Sequence, residues 1–250
     1  MNIAIVTGAS SGLGREFVLQ IANRYPRLDE IWVIARRKEH LLELSGEVSM
    51  NLRIFDMDLT KEESLLSFGK ELEELKPNVR MLVNSAGFGF LSLFTKGDWD
   101  TWGTMIDLNC KVLTRMTYMV LPFMKEGARI LNMASSAAFV PQPGFNVYAA
   151  GKSYVLSFSR ALNGELKERQ ITVTAVCPGP VRTEFFKVAD PNQETAFFKK
   201  LLMAEPRNVV FKALDDAKLG KDMSVYGNTM KVFCILSKVL PHKIFIDFMK

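Results

Sequence analysis

From Ile3 to Gly14 the chain reads IAIVTGASSGLG, and this stretch decides the fold. An apolar run, a turn rich in glycine and serine, and the helical apolar spacing of residues 15–22 predict a strand, a tight turn and a helix. Glycine permits positive φ and close backbone approach, while the N-terminus of the following helix offers free N–H groups and a partial positive charge. The stretch therefore predicts either a pyrophosphate site or a tight strand–helix turn without a ligand.

Apolar runs recur along the chain and alternate with segments of helical spacing. After residues 3–6 they lie at residues 31–35, 52–55, 81–83, 128–133 and 171–176. Continuous runs rich in Val, Ile and Leu suit strands that are covered on both faces. The pattern therefore predicts an α/β fold with a doubly wound parallel sheet, in which ligands bind beyond the carboxyl ends of the strands.

Composition limits the class of protein. The 250 residues, 48% of them hydrophobic, suffice for one core, and no linker or repeat divides them, so we expect a single domain over residues 1–250. The three cysteines lie far apart without metal-ligand spacing, which favours reduced thiols, a cytoplasmic setting and no metal site.

A net charge of +5 among 27 acidic residues makes nucleic acid an unexpected partner. No run reaches the ~18 apolar residues of a membrane span, and a strand beginning at Asn2 leaves no room for a signal peptide.

Polar and glycine-rich groups follow every predicted strand. They are residues 8–14 after the first run, Ala35-Arg36-Arg37 after the second, Asp58-Leu59 after the third, Asn84-Ser85-Ala86-Gly87 after the fourth, Ser135-Ser136 after the fifth and Pro178-Gly179 after the sixth. Because the carboxyl ends of parallel strands meet at one edge of the sheet, we expect these groups to converge. Downstream, Tyr148 and Lys152 stand one helical turn apart, so the ammonium can act on the phenol and favour phenolate.

These motifs resemble those of the short-chain dehydrogenase/reductase family over most of the chain. They are the glycine turn from Thr7 to Gly14, Asn84-Ser-Ala-Gly87, Asn109, Ser135, Tyr148-x-x-x-Lys152 and Pro178-Gly179, in family order and with Ser135 thirteen residues before Tyr148. Two mild departures are Ser85, where the family has a second Asn, and Gly151, where it has Ser. The resemblance implies a Rossmann-type fold, a redox reaction between a ketone and an alcohol, and a homodimer or homotetramer built on the helices of residues 101–124 and 148–167.

The resemblance also implies catalytic roles. Tyr148 would donate a proton to the carbonyl oxygen, and Lys152 would stabilise its phenolate and hydrogen-bond the nicotinamide ribose. Ser135 would hold the substrate oxygen, with the adjacent Ser136 as the alternative. Asn109 would kink its helix and position a water of a proton relay; the alternative is a buried amide satisfied by the backbone.

The end of the second strand predicts the cofactor. An NAD-preferring member would carry a carboxylate for the ribose 2′-hydroxyl there, but this chain carries Arg36 and Arg37. Guanidinium groups suit a 2′-phosphate, so NADP(H) is predicted, with a solvated helix start as the alternative. By the same resemblance, further cofactor contacts come from the other strand ends. They are Gly8, Ser10, Ser11, Gly12, Leu13, Gly14, Asp58, Leu59, Asn84, Ala86, Gly87, Pro178, Gly179, Val181 and Thr183, together with Tyr148 and Lys152.

Substrate specificity in this family comes from the segment after Pro178 and from the C-terminal tail. We therefore expect residues 1–180 to form the cofactor-binding and catalytic core, and residues 181–250 the substrate lid and tail. The expected pocket wall is Phe88, Phe90, Phe139, Phe145, Phe185, Phe186, Phe197, Phe198, Leu201, Leu202 and Met203. Such a wall suits a bulky lipophilic ketone, such as a steroid or a bile acid, although the same rings can be core. A 3-oxoacyl thioester reductase is an alternative, and a non-catalytic NADPH-binding sensor or scaffold is an alternative of another class.

The tail from Asn228 to Lys250 alternates apolar clusters with lysines and carries a net charge of +3. It is expected either to rest on a membrane surface or to pack over the pocket or a partner subunit. Trp99 and Trp102, at the start of the helix that carries Asn109, are both expected to pack.

Overall fold

The structure, a computed structural model, describes residues 1–190 and 203–249. Within these residues a parallel sheet lies between layers of helices. Its strands are β1 (Asn2–Thr7), β2 (Glu30–Ala35), β3 (Asn51–Asp56), β4 (Asn78–Asn84), β5 (Arg129–Met133), β6 (Thr172–Val176) and β7 (Met223–Ser224). They are ordered β3-β2-β1-β4-β5-β6-β7, and every neighbouring pair is parallel. This is the doubly wound, Rossmann-type sheet, whose order reverses between β1 and β4.

Helices connect the strands. They are α1 (Gly12–Arg24), α2 (Lys38–Glu47), α3 (Glu62–Leu75), α4 (Trp99–Ile106), α5 (Leu113–Val120), α6 (Asn146–Glu165), α7 (Phe185–Ala189), α8 (Pro206–Lys218), α9 (Asn228–Val239) and α10 (His242–Phe248). A π-helical turn over Asp107–Val112 joins α4 to α5, and a 3-10 turn over Ser136–Phe139 follows β5.

The sheet is buried on both faces, as the continuous apolar runs predict. Along β1, Ile3 and Ile5 belong to the core on one face, and Ala4 and Val6 to the core on the other. This alternation is the period of two that a strand imposes. The hydrophobic driving force therefore acts on both sides of each central strand and fixes its register.

The six predicted strands are confirmed; β4 begins three residues before its predicted start, and the other ends agree within one residue. β7 was not predicted, because two residues carry no periodicity. Trp102 is buried as expected, but Trp99 is 75% exposed at the start of α4, so the expectation that it packs in this chain is wrong. The expected pocket residues Phe197, Phe198, Leu201 and Leu202 lie outside the described residues. Within the described part, the helices are too short or too polar to cross a bilayer.

The loops after β1 and β4 are joined by the hydroxyl of Thr7. The backbone N–H groups of Ser85 and Ala86 both donate to Thr7 Oγ1 at 3.1 Å. Gly8 N donates to Ile34 O at 2.8 Å, which fixes the same loop against β2. The sequence-predicted groups are thus held together at the point where the strand order reverses.

Candidate active site

The glycine turn is shaped by contacts that allow no side chain. Gly8 has φ +68°, and a Cβ there would lie 2.7 Å from Ala86 N. A Cβ on Gly14 would collide with Gly8 O, so α1 packs directly against the preceding turn. Gly12, at φ +54°, begins α1. Leu13, the next residue, packs partly against the core.

The N-terminus of α1 opens onto a cleft of about 560 Å³. Residues 10–12 form one wall, and residues 182–184 form the opposite one. Ser11 is the N-cap residue, yet its side chain makes no capping hydrogen bond. The first N–H groups of α1 are therefore left to bind an anion, and the partial positive charge of the helix end favours one.

Arg37 reaches back from the end of β2 to this cleft. Its Nε and Nη2 donate to Ser10 Oγ at 3.4 and 3.3 Å. Its Nη1 donates to Glu184 Oε2 at 3.1 Å, which spans the mouth of the cleft with an ion pair. Arg36 is exposed on the same side, and its charge acts on Asp58. The guanidinium of Arg37 is therefore in place to bind a phosphate, but its Nη1 is already paired with the carboxylate of Glu184.

Asp58 and Leu59 follow β3. Partial burial raises the pKa of the Asp58 carboxyl, but hydrogen bonds from Thr60 and the charge of Arg36 outweigh it, so its pKa lies below the ordinary value. Both the backbone N–H and the hydroxyl of Thr60 donate to Asp58 Oδ1. Leu59 is 5% exposed and belongs to the core. Their contacts with an adenine stay a prediction.

Asn84 is turned into the sheet. Its Nδ2 donates to Asn132 Oδ1 at 2.8 Å and to Thr117 Oγ1 at 3.0 Å. Asn132 Nδ2 donates in turn to Ser159 Oγ at 3.0 Å. This buried network ties β4 and β5 to α5 and α6, so it holds the active-site helix against the sheet.

Gly87 closes the loop after β4. A Cβ on Gly87 would lie 2.5 Å from Asn109 Oδ1 and 3.6 Å from Lys152 Nζ. Asn109 lies in the π-helical turn and is 1% exposed. Both ends of its side-chain amide bind the backbone of Phe88. Its Nδ2 donates to Phe88 O at 2.8 Å, and Phe88 N donates to its Oδ1 at 3.1 Å. The helix is thus π-helical rather than α-helical at Asn109, and the amide is satisfied by backbone. The predicted role of Asn109 in positioning a water stays a prediction.

The segment after β6 faces the glycine turn. Pro178 O accepts from Ser136 N at 2.8 Å, which joins the loops after β5 and β6. A Cβ on Gly179 would lie 2.6 Å from Met230 Sδ of α9. Val181 is buried and pairs with Ala204. Thr183 lies against the glycine turn, because a Cβ on Gly12 would meet Thr183 Cβ at 3.4 Å.

Tyr148, Lys152 and Ser135 meet at the first turns of α6. Lys152 Nζ lies 5.5 Å from the centre of the Tyr148 ring and donates to Met133 O at 2.7 Å. Ser135 Oγ accepts from Ala137 N at 3.1 Å, which leaves the hydroxyl hydrogen to another acceptor. The adjacent Ser136 is fixed through its backbone, because its N–H donates to Pro178 O. Of the two serines, Ser135 is therefore the one whose hydroxyl acts on the phenol.

Burial shifts both pKa values of the pair. It raises the pKa of the Tyr148 phenol well above its ordinary value, while the Ser135 hydroxyl acts in the opposite direction. It lowers the pKa of Lys152 to about 8, against the influence of the Cys110 and Cys177 thiols. The spacing predicted that Lys152 favours phenolate, but in the chain itself desolvation dominates and favours the neutral phenol.

Aromatic rings cover Tyr148, which is 6% exposed. Phe145 stacks on it with ring centres 4.3 Å apart, and Phe185 of α7 lies at 5.5 Å. A Cβ on Gly89 would lie within 3.0 Å of all three rings. Phe88, Phe90 and Trp102 belong to the same cluster. Of the expected wall, Phe88, Phe90, Phe145 and Phe185 lie in the cluster of the phenol, whereas Phe139 belongs to the core cluster that packs against α9. That these rings line a substrate pocket stays a prediction.

Sequence reasoning assigned no role to two side chains of this site. Thr7 was noted only as the first residue of the glycine motif, although a polar residue at the end of an apolar run is a local signal that could have marked its hydroxyl. Glu184 has no such signal, because its partner Arg37 lies 147 residues away.

A model of the short chain dehydrogenase family matches residues 2–194. The chain belongs to this family, and it is an oxidoreductase that acts on CH–OH groups. Tyr148, Lys152, Ser135 and the glycine turn are the family features that the structure brings together at one edge of the sheet.

Similar proteins cover most of the chain. Sulfoacetaldehyde reductase 2 of Chromohalobacter salexigens is 36% identical over 204 residues, 78% of this chain and 79% of that protein. The NADP-dependent 3-hydroxy acid dehydrogenase YdfG of Escherichia coli is 36% identical over 194 residues, 74% of this chain and 75% of that protein. The solved structure of a closed serine dehydrogenase complexed with NADP+ is 29% identical, with a TM-score of 0.79, and the match covers 90% of this chain and 94% of that one.

Proposed function

We propose that the protein interconverts a ketone and a secondary alcohol, with NADP(H) as the cofactor and a bulky lipophilic molecule, such as a steroid or a bile acid, as the substrate. The observation that carries the proposal is the aromatic enclosure of Tyr148. Phe145 and Phe185 contact its ring directly. A phenol inside an apolar enclosure suits a carbonyl on an apolar skeleton, because the walls bury the skeleton while the hydroxyl fixes the oxygen.

NADP(H) is the cofactor, and it supplies or accepts the hydride. The Escherichia coli relative is NADP-dependent by name, and the serine dehydrogenase structure contains NADP+. The residues of this chain fit the group: the glycine turn leaves no room for a Cβ, the N-terminus of α1 lacks a side-chain cap, and Arg37 lies over Ser10. Residues 35–38 carry three basic side chains and no carboxylate, which suits a 2′-phosphate.

Tyr148 is the proton donor to the carbonyl oxygen. The phenol is protonated at neutral pH, which is the form that carbonyl reduction needs, and burial, which raises its pKa, favours that form further. Lys152, with a pKa of about 8, is mainly protonated at neutral pH and places its charge beside the ring, where it stabilises the phenolate that remains. Ser135, whose hydroxyl acts on the phenol in the structure, holds the substrate oxygen when a substrate is bound. Asn109 is a positioning residue, because its amide holds Phe88 and thereby the loop beside Lys152.

Residues 181–250 act as the lid and tail of the site. Phe185, the first residue of α7, supplies the lid contact with Tyr148. Self-association through α5 and α6 is part of the same proposal. It is supported by Tyr118 and Tyr154, which are large rings exposed on these two helices.

A small anionic carbonyl compound is the second candidate substrate, because two relatives are named for sulfoacetaldehyde and for 3-hydroxy acids. Such a substrate needs a cation near the reacting carbon. Among the described residues, the cation found against Tyr148 is Lys152, and its Nζ is engaged by Met133 O. The rings around the phenol therefore favour the lipophilic class.

The test measures the oxidation of NADPH and of NADH by absorbance with each member of a panel of carbonyl compounds. Its members are steroid and bile-acid ketones, 3-oxoacyl thioesters, sulfoacetaldehyde and 3-oxo acids. We expect NADPH-dependent reduction with kcat/KM at least about tenfold higher for a steroid or bile-acid ketone than for the small acids, which corresponds to ~1.4 kcal/mol. Tyr148→Phe should lower the rate by roughly 10²-fold or more while NADPH still binds.

A higher kcat/KM for the small acids or the thioesters would refute the substrate class but not the reaction. NADPH binding without turnover of any member would refute the reaction and favour the sensor or scaffold.

A further inference from the structure

The helix α9 is apolar on two opposite faces. One face packs on the domain: Cys234 and Ser237 are buried, and Met230 and Phe233 pack against the same core. The other face carries exposed apolar side chains at the spacing i, i+3, i+4, i+7. They are Val232, Ile235, Leu236 and Val239, with Ile235 at 61% and Val239 at 74% exposure. Exposed apolar side chains that form a continuous stripe are typical of an interaction surface, so the outer face calls for a covering surface.

Lysines border the outer face. Lys231 and Lys238 are exposed and seven residues apart, which places them on one side of α9 two turns apart. Successive residues of a helix are about 100° apart around its axis. On this spacing, Lys231 and Lys238 lie between the buried face and the outer apolar stripe, which is itself about 100° wide. Lys243, on α10, is also exposed. Long lysine side chains at the border of an apolar stripe can keep their stems in the apolar layer and their charge in the phosphate layer.

The following helix, α10, carries further exposed apolar side chains. Ile244 and Phe248 lie four residues apart on α10, and Phe248 is 92% exposed. Phe245 packs on Phe233 with ring centres 5.8 Å apart, so α10 is held against α9 rather than detached from it.

We infer that the outer face of α9, together with Ile244 and Phe248 of α10, rests on the surface of an anionic lipid bilayer. A second copy of the chain fits this face less well, because it would bring a second row of lysines to the border of the contact. Lipid phosphates complement those lysines, and the acyl layer accepts the apolar stripe.

The inner face of α9 connects this surface to the active site. Met230 lies against Gly179, and Phe233 contacts Phe139 at 6.0 Å between ring centres, directly after the loop of Ser135. A bilayer bound to α9 therefore lies one helix away from the strand ends. The inference does not depend on which substrate the enzyme uses.

Co-sedimentation of the purified full-length protein with vesicles tests the inference. One set of vesicles is phosphatidylcholine alone, and in the other about a third of the lipid is phosphatidylglycerol. We expect binding to the anionic vesicles about tenfold tighter than to the neutral ones, and a loss of that difference at high salt. Failure to bind the anionic vesicles would overturn the inference.

Two double variants separate the apolar stripe from the lysines. Ile235→Gln with Val239→Gln should weaken binding to the anionic vesicles about tenfold or more. Lys231→Gln with Lys238→Gln should remove most of the preference for anionic lipid. The matched control is Leu219→Gln, an equally exposed apolar residue at the end of α8, which should bind like the wild type.

All variants replace exposed side chains, so thermal unfolding should show intact folding. If both double variants bind the anionic vesicles as tightly as the wild type does, the proposed lipid-binding surface is refuted. A concentration-dependent dimer that the Ile235→Gln, Val239→Gln variant converts to monomer, without vesicle binding by the wild type, would assign the face to a second copy instead.

Discussion

Replacement of Lys152 by Met should stabilise the cofactor-free protein while it abolishes catalysis. The ammonium is 5% exposed, and burial lowers its pKa from 10.5 to about 8. At ~1.4 kcal/mol for each pKa unit, the buried charge costs the folded state about 3 kcal/mol relative to the neutral amine. Loss of the hydrogen bond to Met133 O offsets about 1 kcal/mol of this. We therefore expect Lys152→Met to raise the free energy of unfolding by about 2 kcal/mol at neutral pH.

The pH dependence of this gain follows from the sign of the shift. Below pH 8 both the folded and the unfolded chain bind the proton, so the full cost is present. Between pH 8 and 10.5 the unfolded chain binds more protons, so the wild type gains stability as the pH rises, and above 10.5 the cost is gone. The difference between Lys152→Met and wild type should accordingly be about 2 kcal/mol smaller at pH ~9.5 than at pH ~7.

Urea unfolding without cofactor measures both quantities, because the midpoint and the slope together give the free energy of unfolding. Lys218→Met, which removes an exposed lysine at the end of α8, is the control and should change stability by less than about 0.5 kcal/mol. A difference that does not change with pH would show that the Lys152 pKa is the same in the folded and the unfolded chain, and a difference that grows as the pH rises would show that the folded state stabilises the Lys152 cation. The burial argument would then be wrong.

Glu184→Gln should tighten NADPH binding about three- to tenfold and leave NADH binding nearly unchanged, because the carboxylate on Arg37 repels an incoming 2′-phosphate. Fluorescence titration checks this, and Glu62→Gln, from the exposed ion pair with Arg115, is the control. Weaker NADPH binding by Glu184→Gln would mean that Glu184 holds Arg37 in place. Gly151→Ala should gain less than the ~1 kcal/mol that helix propensity offers, because its Cβ would lie 3.2 Å from Cys110 Sγ. In a Cys110→Ala background the full gain should appear in urea unfolding, and simple additivity of the two substitutions would contradict this steric explanation.

The strands could be predicted because burial on both faces leaves a continuous apolar run in the sequence. β7 could not, since its two residues join the sheet only through Ala175 and Val176 of β6. Nor could the two tryptophans of α4 be told apart. Trp102 fills the cluster around Tyr148 and Trp99 faces water, although both stand at the start of the same helix.

At the site, too, the sequence predicts what local spacing determines and does not predict what contacts with other segments determine. Residues within one motif, such as Tyr148 and Lys152, are placed together by helix geometry, and the sequence is enough to find them. The phenol's protonation is not a local property, since Phe145 and Phe185 bury it from two separate segments. The spacing predicted that Lys152 favours the phenolate; burial, to which Phe145 three residues upstream and Phe185 contribute, acts in the opposite direction and raises the pKa of the phenol.

The residues from Thr183 to Phe185 connect the two halves of the site. Thr183 lies against Gly12 at the phosphate end, Glu184 binds Arg37, and Phe185 covers Tyr148. A phosphate that draws Arg37 away from Glu184 removes one of the contacts that hold this segment in place. The other contacts are those of Thr183 with Gly12 and of Phe185 with Tyr148, so the ion pair is one of three ties between the segment and the site. We therefore expect Glu184→Gln to change kcat as well as the affinity for NADPH, and an unchanged kcat would show that the phosphate end and the reaction centre are independent.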